Sequence, residues 1–183
     1  MSWRMSTANR EKNGENNHVL TKEEIQDIED ECSHYPDKQA VSVDALKIVQ
    51  RHRGYVSDEA LQDVGEYLQM PIDELEGVAT FYPLIFRKPV GKHVILVCDS
   101  ISCWIMGGED RRKDLEQRLG IHLGETTPDG LFTLLPIRCL GICDHAPAMI
   151  IDEELVVDWT NEKTEAIMNR YSKMTEKAEP SED

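Results

Sequence analysis

Four cysteines gathered into two close pairs constrain this chain more than any other feature. They read Cys98-Asp-Ser-Ile-Ser-Cys103 and Cys139-Leu-Gly-Ile-Cys143, a C-x4-C and a C-x3-C segment with 35 residues between them. An apolar run precedes each pair, Val94-Ile95-Leu96-Val97 and Phe132-Thr133-Leu134-Leu135. Short runs of this composition suit buried strands. Two strands that each deliver two thiols to one end of a small sheet would form a four-sulfur metal site. The remaining sequence reads as support for it.

Three chemistries commonly use four cysteines. Structural disulfides belong to oxidising compartments, but Met1 to Asn17 is polar and mixed in charge, with no secretory apolar region. In a reducing compartment the same residues more often bind metal or catalyse. Zinc takes four thiolates tetrahedrally, with gaps of about two to four residues within each pair, and both gaps here fit. Zinc knuckles, however, usually sit on short turns, whereas these pairs end long apolar strands. A [2Fe–2S] cluster takes two thiolates on each iron. Unequal gaps suit its rhombic outline well. Both metals remain open on spacing alone, because they use the same soft ligand set.

The loops carry features that suit a cluster. Two ferric irons, two sulfides and four thiolates sum to a net negative charge, and reduction adds one more. Backbone N–H groups aimed at the sulfurs would stabilise that charge. Gly141 lets the backbone approach without a Cβ in the way. Gly107 and Gly108 do the same, or simply open the next helix. Arg138, beside Cys139, is either a charge that favours the reduced state or a solvated surface residue. Trp104 is either a shield over the sulfurs or an ordinary core or interface tryptophan.

Charge narrows the partners. Lys and Arg number 20 against 35 Asp and Glu, a net charge of -15. That balance disfavours nucleic acid and anionic membrane surfaces, and any docking face on a partner is expected to be basic. No apolar run approaches the roughly 20 residues that span a bilayer, so no direct membrane insertion is expected. Residues 1–18 and 173–183 have too little apolar content to bury and are expected to be a disordered tail and an acidic tail.

Between the tails, the first part of the chain has helical periodicity. Thr21 with Glu24 forms a capping box for a helix bearing Ile25, Ile28 and Cys32 on one face, stopped before Pro36. Ser42 is expected to cap a second helix, ended by Gly54, and Ser57 a third, bearing Leu61, Val64 and Leu68. Pro71 is expected as the first residue of a fourth, with Ile72, Leu75, Val78 and Ala79 inside. Residues 19–87 therefore predict a compact helical bundle. Cys32 reads as a small core residue, and His34 and His52 as surface residues without partners. Its last stretch, Gly77 to Arg87, is apolar and broken by Pro83. It reads as a packed hinge whose aromatics, Phe81, Tyr82 and Phe86, partly form a docking surface.

After Pro89-Val90-Gly91 the pattern changes. A strand at His93–Val97 leads into the first cysteine loop, followed by a helix at about Gly108–Leu119. The turn Thr127-Pro128-Asp129-Gly130 precedes a strand at Leu131–Leu135 and the second cysteine loop. A hairpin of Ala148–Ile151 and Leu155–Val157 and a helix from Asn161 to about Tyr171 complete residues 88–172. The order β-α-β then β-β-α is that of a thioredoxin-like domain, so the chain predicts an α+β protein. Pro147 stands just before the third strand, a position that admits a cis bond.

Several of these segments together resemble one family. They are Gly77-Val-Ala-Thr-Phe-Tyr82, Phe86-Arg87, Pro89 to Ile95, Cys98-Asp-Ser-x-x-Cys103, Asp129-Gly-x-Phe-Thr133, Cys139-Leu-Gly-x-Cys143 and Pro147 with Met149. The family is that of the NuoE-type subunit of respiratory complex I, the thioredoxin-like [2Fe–2S] ferredoxin subunit of NADH:quinone oxidoreductase. The resemblance extends over about residues 20 to 172. It implies that Cys98, Cys103, Cys139 and Cys143 hold a [2Fe–2S] cluster, with no catalytic residue on this chain. It also implies a flavoprotein partner that binds FMN and NADH, within the larger complex I assembly. The implied location is cytoplasmic, on the peripheral arm of a bacterial inner-membrane complex.

On this reading the chain passes one electron to and from the partner's flavin. Relatives that keep the pattern serve NAD-linked hydrogenases or formate dehydrogenases, and those assemblies are the nearest alternatives. Two other classes stand beside them. A dithiol redox enzyme would show C-x-x-C at a helix N-terminus, and neither gap here is of that length. A zinc-stapled structural subunit would be colourless.

Overall fold

The structure is a computed structural model that describes residues 20–176, so the N-terminal tail expected at 1–18 and residues 177–183 lie outside the described residues. The chain divides at Val90 and Gly91 into two units.

The first unit is helical. Helix α1 (Lys22–Cys32) starts on the expected capping box. The Thr21 hydroxyl accepts the Glu24 N–H at 3.2 Å, and the Glu24 carboxylate accepts the Thr21 N–H at 2.8 Å. Glu24 is also wholly buried and receives two N–H bonds from Arg53, each 2.6 Å long. Burial opposes its charge, but the hydrogen bonds from Arg53 and the Thr21 N–H outweigh that and hold its carboxyl below the usual range.

Helix α2 (Ser42–Arg53) begins differently from expectation. Asp37 caps a 3₁₀ turn at Lys38–Val41 by accepting the Gln39 N–H at 3.1 Å. That turn runs straight into α2, so Val41 takes the capping position and Ser42 is a buried first helical residue. At the other end Gly54, at φ 86°, closes the helix in the left-handed region. Helix α3 (Asp58–Leu68) is capped by Ser57, whereas α4 (Ile72–Phe81) starts after Pro71, which takes the N-cap position, and Ile72, expected inside, is 44% exposed in the first turn. Ile28, Leu46, Val49, Leu61, Val64 and Leu75 are among the buried residues these helices place together. Cys32 packs against this core, as a small apolar residue would. His52, in contrast, has a partner: its Nε2 lies 2.9 Å from Asp27 Oδ2.

The segment after α4 is pinned to the bundle. The buried Gln50 side chain donates to Leu84 O at 2.9 Å and accepts the Phe86 N–H at 2.6 Å. Arg87 donates to the carbonyls of Val56 and Ser57 and to the carboxylates of Asp58 and Glu76. Ile85 is buried in the core, whereas Phe81 is 77% exposed and rests edge-on against Tyr82.

The second unit is built on a four-stranded sheet in the order β2-β1-β3-β4. Strand β1 (His93–Cys98) is central and parallel to β2 (Phe132–Ile137), with His93 opposite Phe132 and Cys98 opposite Ile137. Strands β3 (Met149–Ile151) and β4 (Glu154–Val156) add the antiparallel hairpin. The parallel pair requires a crossover, which contains α5 (Ile101–Ile105) and α6 (Gly108–Leu119). α6 has the expected bounds, but α5 is an addition, since its β-branched ends gave no helical signal. Ile95, Val97, Leu115, Leu134, Met149 and Ile151 form the centre of the core. Trp159 joins them, its indole N–H donating to the buried Thr164 hydroxyl at 2.7 Å.

The last helix, α7 (Asn161–Glu176), continues past the expected end at Tyr171. Polar composition does not end a helix, and the first helix breaker after Asn161 is Pro180. The Ala146–Pro147 bond is cis.

Glu24→Gln removes the buried carboxylate that pairs with Arg53 and should cost about 3 kcal/mol, measured by chemical unfolding of the full chain. A carboxyl with a lowered folded pKa stabilises fully above the ordinary glutamate value, and that stability fades as pH falls through the folded one. The acid-dependent part of the unfolding curve should therefore shrink in the variant.

Candidate metal centre

Because β1 and β2 run parallel, their C-terminal ends lie on one edge of the sheet, and both cysteine loops leave from there. Cys98 ends β1 and Cys103 lies in α5; both are buried. Cys139 follows β2, and Cys143 starts a short 3₁₀ turn; both are exposed. All five cysteines of the chain are free thiols. The Sγ atoms of Cys139 and Cys143 are 3.3 Å apart. Cys98 and Cys103 share a hydrogen bond, and Cys98 interacts electrostatically with both Cys139 and Cys143. The four thiols that the sequence singled out thus form one group, and Cys32 lies in the other unit.

The short helix α5 turns Cys103 back towards Cys98. Its exit is sharp: Gly107, at φ 85°, caps α6, and Gly108 presses against the Cys103 backbone. A Cβ on Gly108 would stand 2.6 Å from the Cys103 carbonyl oxygen. Gly141 has a φ of 80°, which requires glycine, and that turn aims its N–H at Cys139 Sγ, 3.4 Å away.

The donor set fits a negatively charged cluster. Backbone N–H groups of Ser100 and Leu140 point at Cys98, that of Ala148 at Cys103, and that of Gly141 at Cys139. Leu140 belongs to the second loop, so its bond to Cys98 ties the two loops together. The thiols stand as two pairs, which suits a two-iron group with two thiolates on each iron.

Within each pair one thiol is acidified at the other's expense. Burial pushes the Cys98 thiol up, but the Ser100 hydroxyl and the N–H groups of Ser100 and Leu140 outweigh it and bring the thiol below its ordinary value. Burial and the neighbouring Cys98 push Cys103 up. The Gly141 N–H, with Cys143 and Ser100, lowers Cys139, and Cys139 in turn raises Cys143. In each pair the thiolate, the form that binds metal, is favoured at one sulfur over its neighbour.

Among the neighbours of the thiols, Trp104 is 60% exposed and therefore not a core residue. It shares the surface of α5 with Ile101, Ile105 and Met106, all more than half exposed. Arg138 is a surface residue, its side chain 90% exposed and 3.7 Å from Asp99. Sequence patterning did not point to the hydroxyls of Ser100 and Ser102, which bond to cysteine sulfurs. Their alternation with the cysteines in Cys98-Asp-Ser-Ile-Ser-Cys103 was the available signal.

A parallel βαβ unit, an antiparallel hairpin and a four-thiol edge together define a thioredoxin-like iron–sulfur domain. The chain belongs to the thioredoxin-like [2Fe-2S] ferredoxin family, whose model matches residues 28–172. This membership indicates a [2Fe–2S] cluster as the cofactor, and it decides between the two metals that spacing left open. A relative in Pseudomonas aeruginosa, the E-type subunit of NADH-quinone oxidoreductase, is 54% identical over 136 residues, which cover 74% of this chain and 82% of that protein. Its counterpart of the same name in Escherichia coli is 48% identical over 152 residues, 83% of this chain and 92% of that protein. Among solved structures, a chain of the NAD+-reducing [NiFe]-hydrogenase in its air-oxidized state superposes with a TM-score of 0.63 at 20% identity. The match covers 73% of this chain and 23% of the hydrogenase chain, and it shows a shared fold.

Gly108→Ala should displace the Cys103 backbone. An overpacked contact of this kind costs about 1–3 kcal/mol. Reduced iron content per chain and a lower unfolding midpoint are the expected results, whereas Gly54→Ala, in the other unit, should lower stability without lowering iron content.

Proposed function

We propose that this chain is the electron-transfer subunit of an NADH:quinone oxidoreductase, with Cys98, Cys103, Cys139 and Cys143 as the ligands of its [2Fe–2S] cluster. The convergence of these four thiols at one sheet edge, within a ring of backbone N–H donors, carries the reading. Bound there, the cluster supplies a one-electron carrier for exchange with the FMN of an NADH-binding flavoprotein subunit. The chain's own residues hold and tune it. Cys98 and Cys103 provide buried sulfurs, Cys139 and Cys143 exposed ones, and the N–H groups of Ser100, Leu140, Gly141 and Ala148 offset the negative charge.

The partner docks beside the thiols. Ile101, Trp104, Ile105 and Met106 give the loop an exposed apolar rim, and exposed apolar surface of this kind marks an interaction site. Electron exchange requires the flavin to come close to the cluster, so the rim suits the flavoprotein. With a net charge of -15 on this chain, the partner's contacting face is expected to carry basic residues. No helix among the described residues is long and apolar enough to cross a membrane, which suits a place on the peripheral arm of a membrane complex. The fold shared with an NAD+-reducing hydrogenase keeps a second reading, the diaphorase subunit of such an enzyme. Identification of the proteins that co-purify with the chain separates the two.

Anaerobically purified protein should contain about two irons and two acid-labile sulfides per chain, with one reduced [2Fe–2S] signal by EPR after dithionite. Cys103→Ser, and the serine variant at each of the other three positions, should lose most of that iron, while Cys32→Ala keeps it. Full cluster content in all four serine variants would overturn the ligand set.

Trp104→Ala with the EPR signal intact should weaken capture of the flavoprotein subunit by about tenfold or more, the usual effect of removing an interface tryptophan. Undiminished capture would move the docking face elsewhere.

A further inference from the structure

Ser100 occupies the N-cap position of α5, where a serine hydroxyl usually accepts a backbone N–H of the first turn. Here it makes no such bond. Its Oγ lies 3.3 Å from Cys98 Sγ, and the hydroxyl also favours the thiolate of Cys139 on the other loop. The Ser102 hydroxyl, two residues on, has the same effect on Cys143. Both serines are half-buried, so the bonds are partly shielded from competing water.

We propose that Ser100 tunes the reduction potential of the centre through its hydroxyl on Cys98 Sγ, with Ser102 making a smaller contribution at Cys143. This inference rests on the four-cysteine ligand reading. Between a thiol and a hydroxyl either group can donate, but a thiolate has no proton to give. Once the sulfurs are ligands, the serine O–H is the donor and the sulfurs are the acceptors. Reduction adds one electron and with it negative charge, and a hydrogen bond to sulfur is stronger in the more negative state. The hydroxyl therefore favours the reduced form and raises the potential. Backbone N–H groups act in the same direction, and a side-chain hydroxyl is the donor that a conservative substitution removes without disturbing the backbone.

The test is an EPR-monitored redox titration of the full-length chain in wild-type, Ser100→Ala, Ser102→Ala and Ser100→Thr forms. A wild-type protein without a [2Fe–2S] signal would remove the ligand reading itself, and this inference with it. With the wild-type signal present, Ser100→Ala should make one-electron reduction about three- to tenfold less favourable. The upper end corresponds to a midpoint about 59 mV lower. Ser102→Ala, which loses a bond to one sulfur, should shift in the same direction by less, and Ser100→Thr should restore the wild-type midpoint. An unchanged midpoint in Ser100→Ala at full iron content would overturn the proposal while leaving the ligand set standing. Should Ser100→Ala take up no cluster, the isosteric pair Ser100→Thr and Ser100→Val decides. A loaded Thr form with the wild-type midpoint, beside a Val form that is unloaded or lower in potential, supports the role of the hydroxyl. Equal behaviour of the two, loaded or not, overturns it.

Discussion

The parallel pairing of β1 with β2 is the constraint on which the metal centre depends. Parallel strands end on the same side of a sheet, so Cys98 at the end of β1 and Cys139 just after β2 leave from one edge. An antiparallel pairing of the same strands would put the two loops at opposite ends, some six residues of strand apart. The crossover that parallel pairing demands then supplies α5, which carries Cys103, and α6, whose first turn is packed too tightly against Cys103 to admit a side chain at Gly108. The hairpin closes the other side: Cys98 N–H donates to Ala148 O at 3.3 Å, while Ala148 N–H points at Cys103. Three neighbouring strand ends thus converge on four sulfurs.

The unequal burial of the two pairs has a functional side. Cys98 and Cys103 sit with Ala146, Ile137 and Leu140 in a small apolar cluster of their own, separate from the main core of the unit. Cys139 and Cys143 face outward beside the apolar rim of α5. An electron carrier needs both properties. The buried side keeps water and stray charge away from the sulfurs, and the open side lets a partner's cofactor approach. The potential is then set by the balance between local donors and solvent exposure.

The helical unit has a corresponding anchor in Glu24. One carboxylate completes a helix cap and grips Arg53 from α2, so the start of α1 and the end of α2 are held by the same buried group. Gln50 and Arg87 do comparable work for the segment after α4, by satisfying backbone groups that helices and strands leave unpaired there. Polar side chains, inside an otherwise apolar bundle, fix where its ends go.

Local signals in the sequence determined much of this protein. Periodicity located the helices around Ile28, Leu46, Leu61 and Leu75, and the capping residues Thr21 and Ser57 and the terminator Gly54 act within one turn of their own position. Four cysteines after two apolar runs announced a soft-metal site for the same reason, since ligand chemistry belongs to residue types. Tertiary structure decided the rest. Nothing local shows that the Leu140 N–H would cross to Cys98, or that Trp104 would lie outside. The His52 bond to Asp27 and the Arg53 grip on Glu24 join residues 25 and 29 positions apart. Such contacts depend on how separate elements pack, and periodicity along one element carries no information about its neighbour.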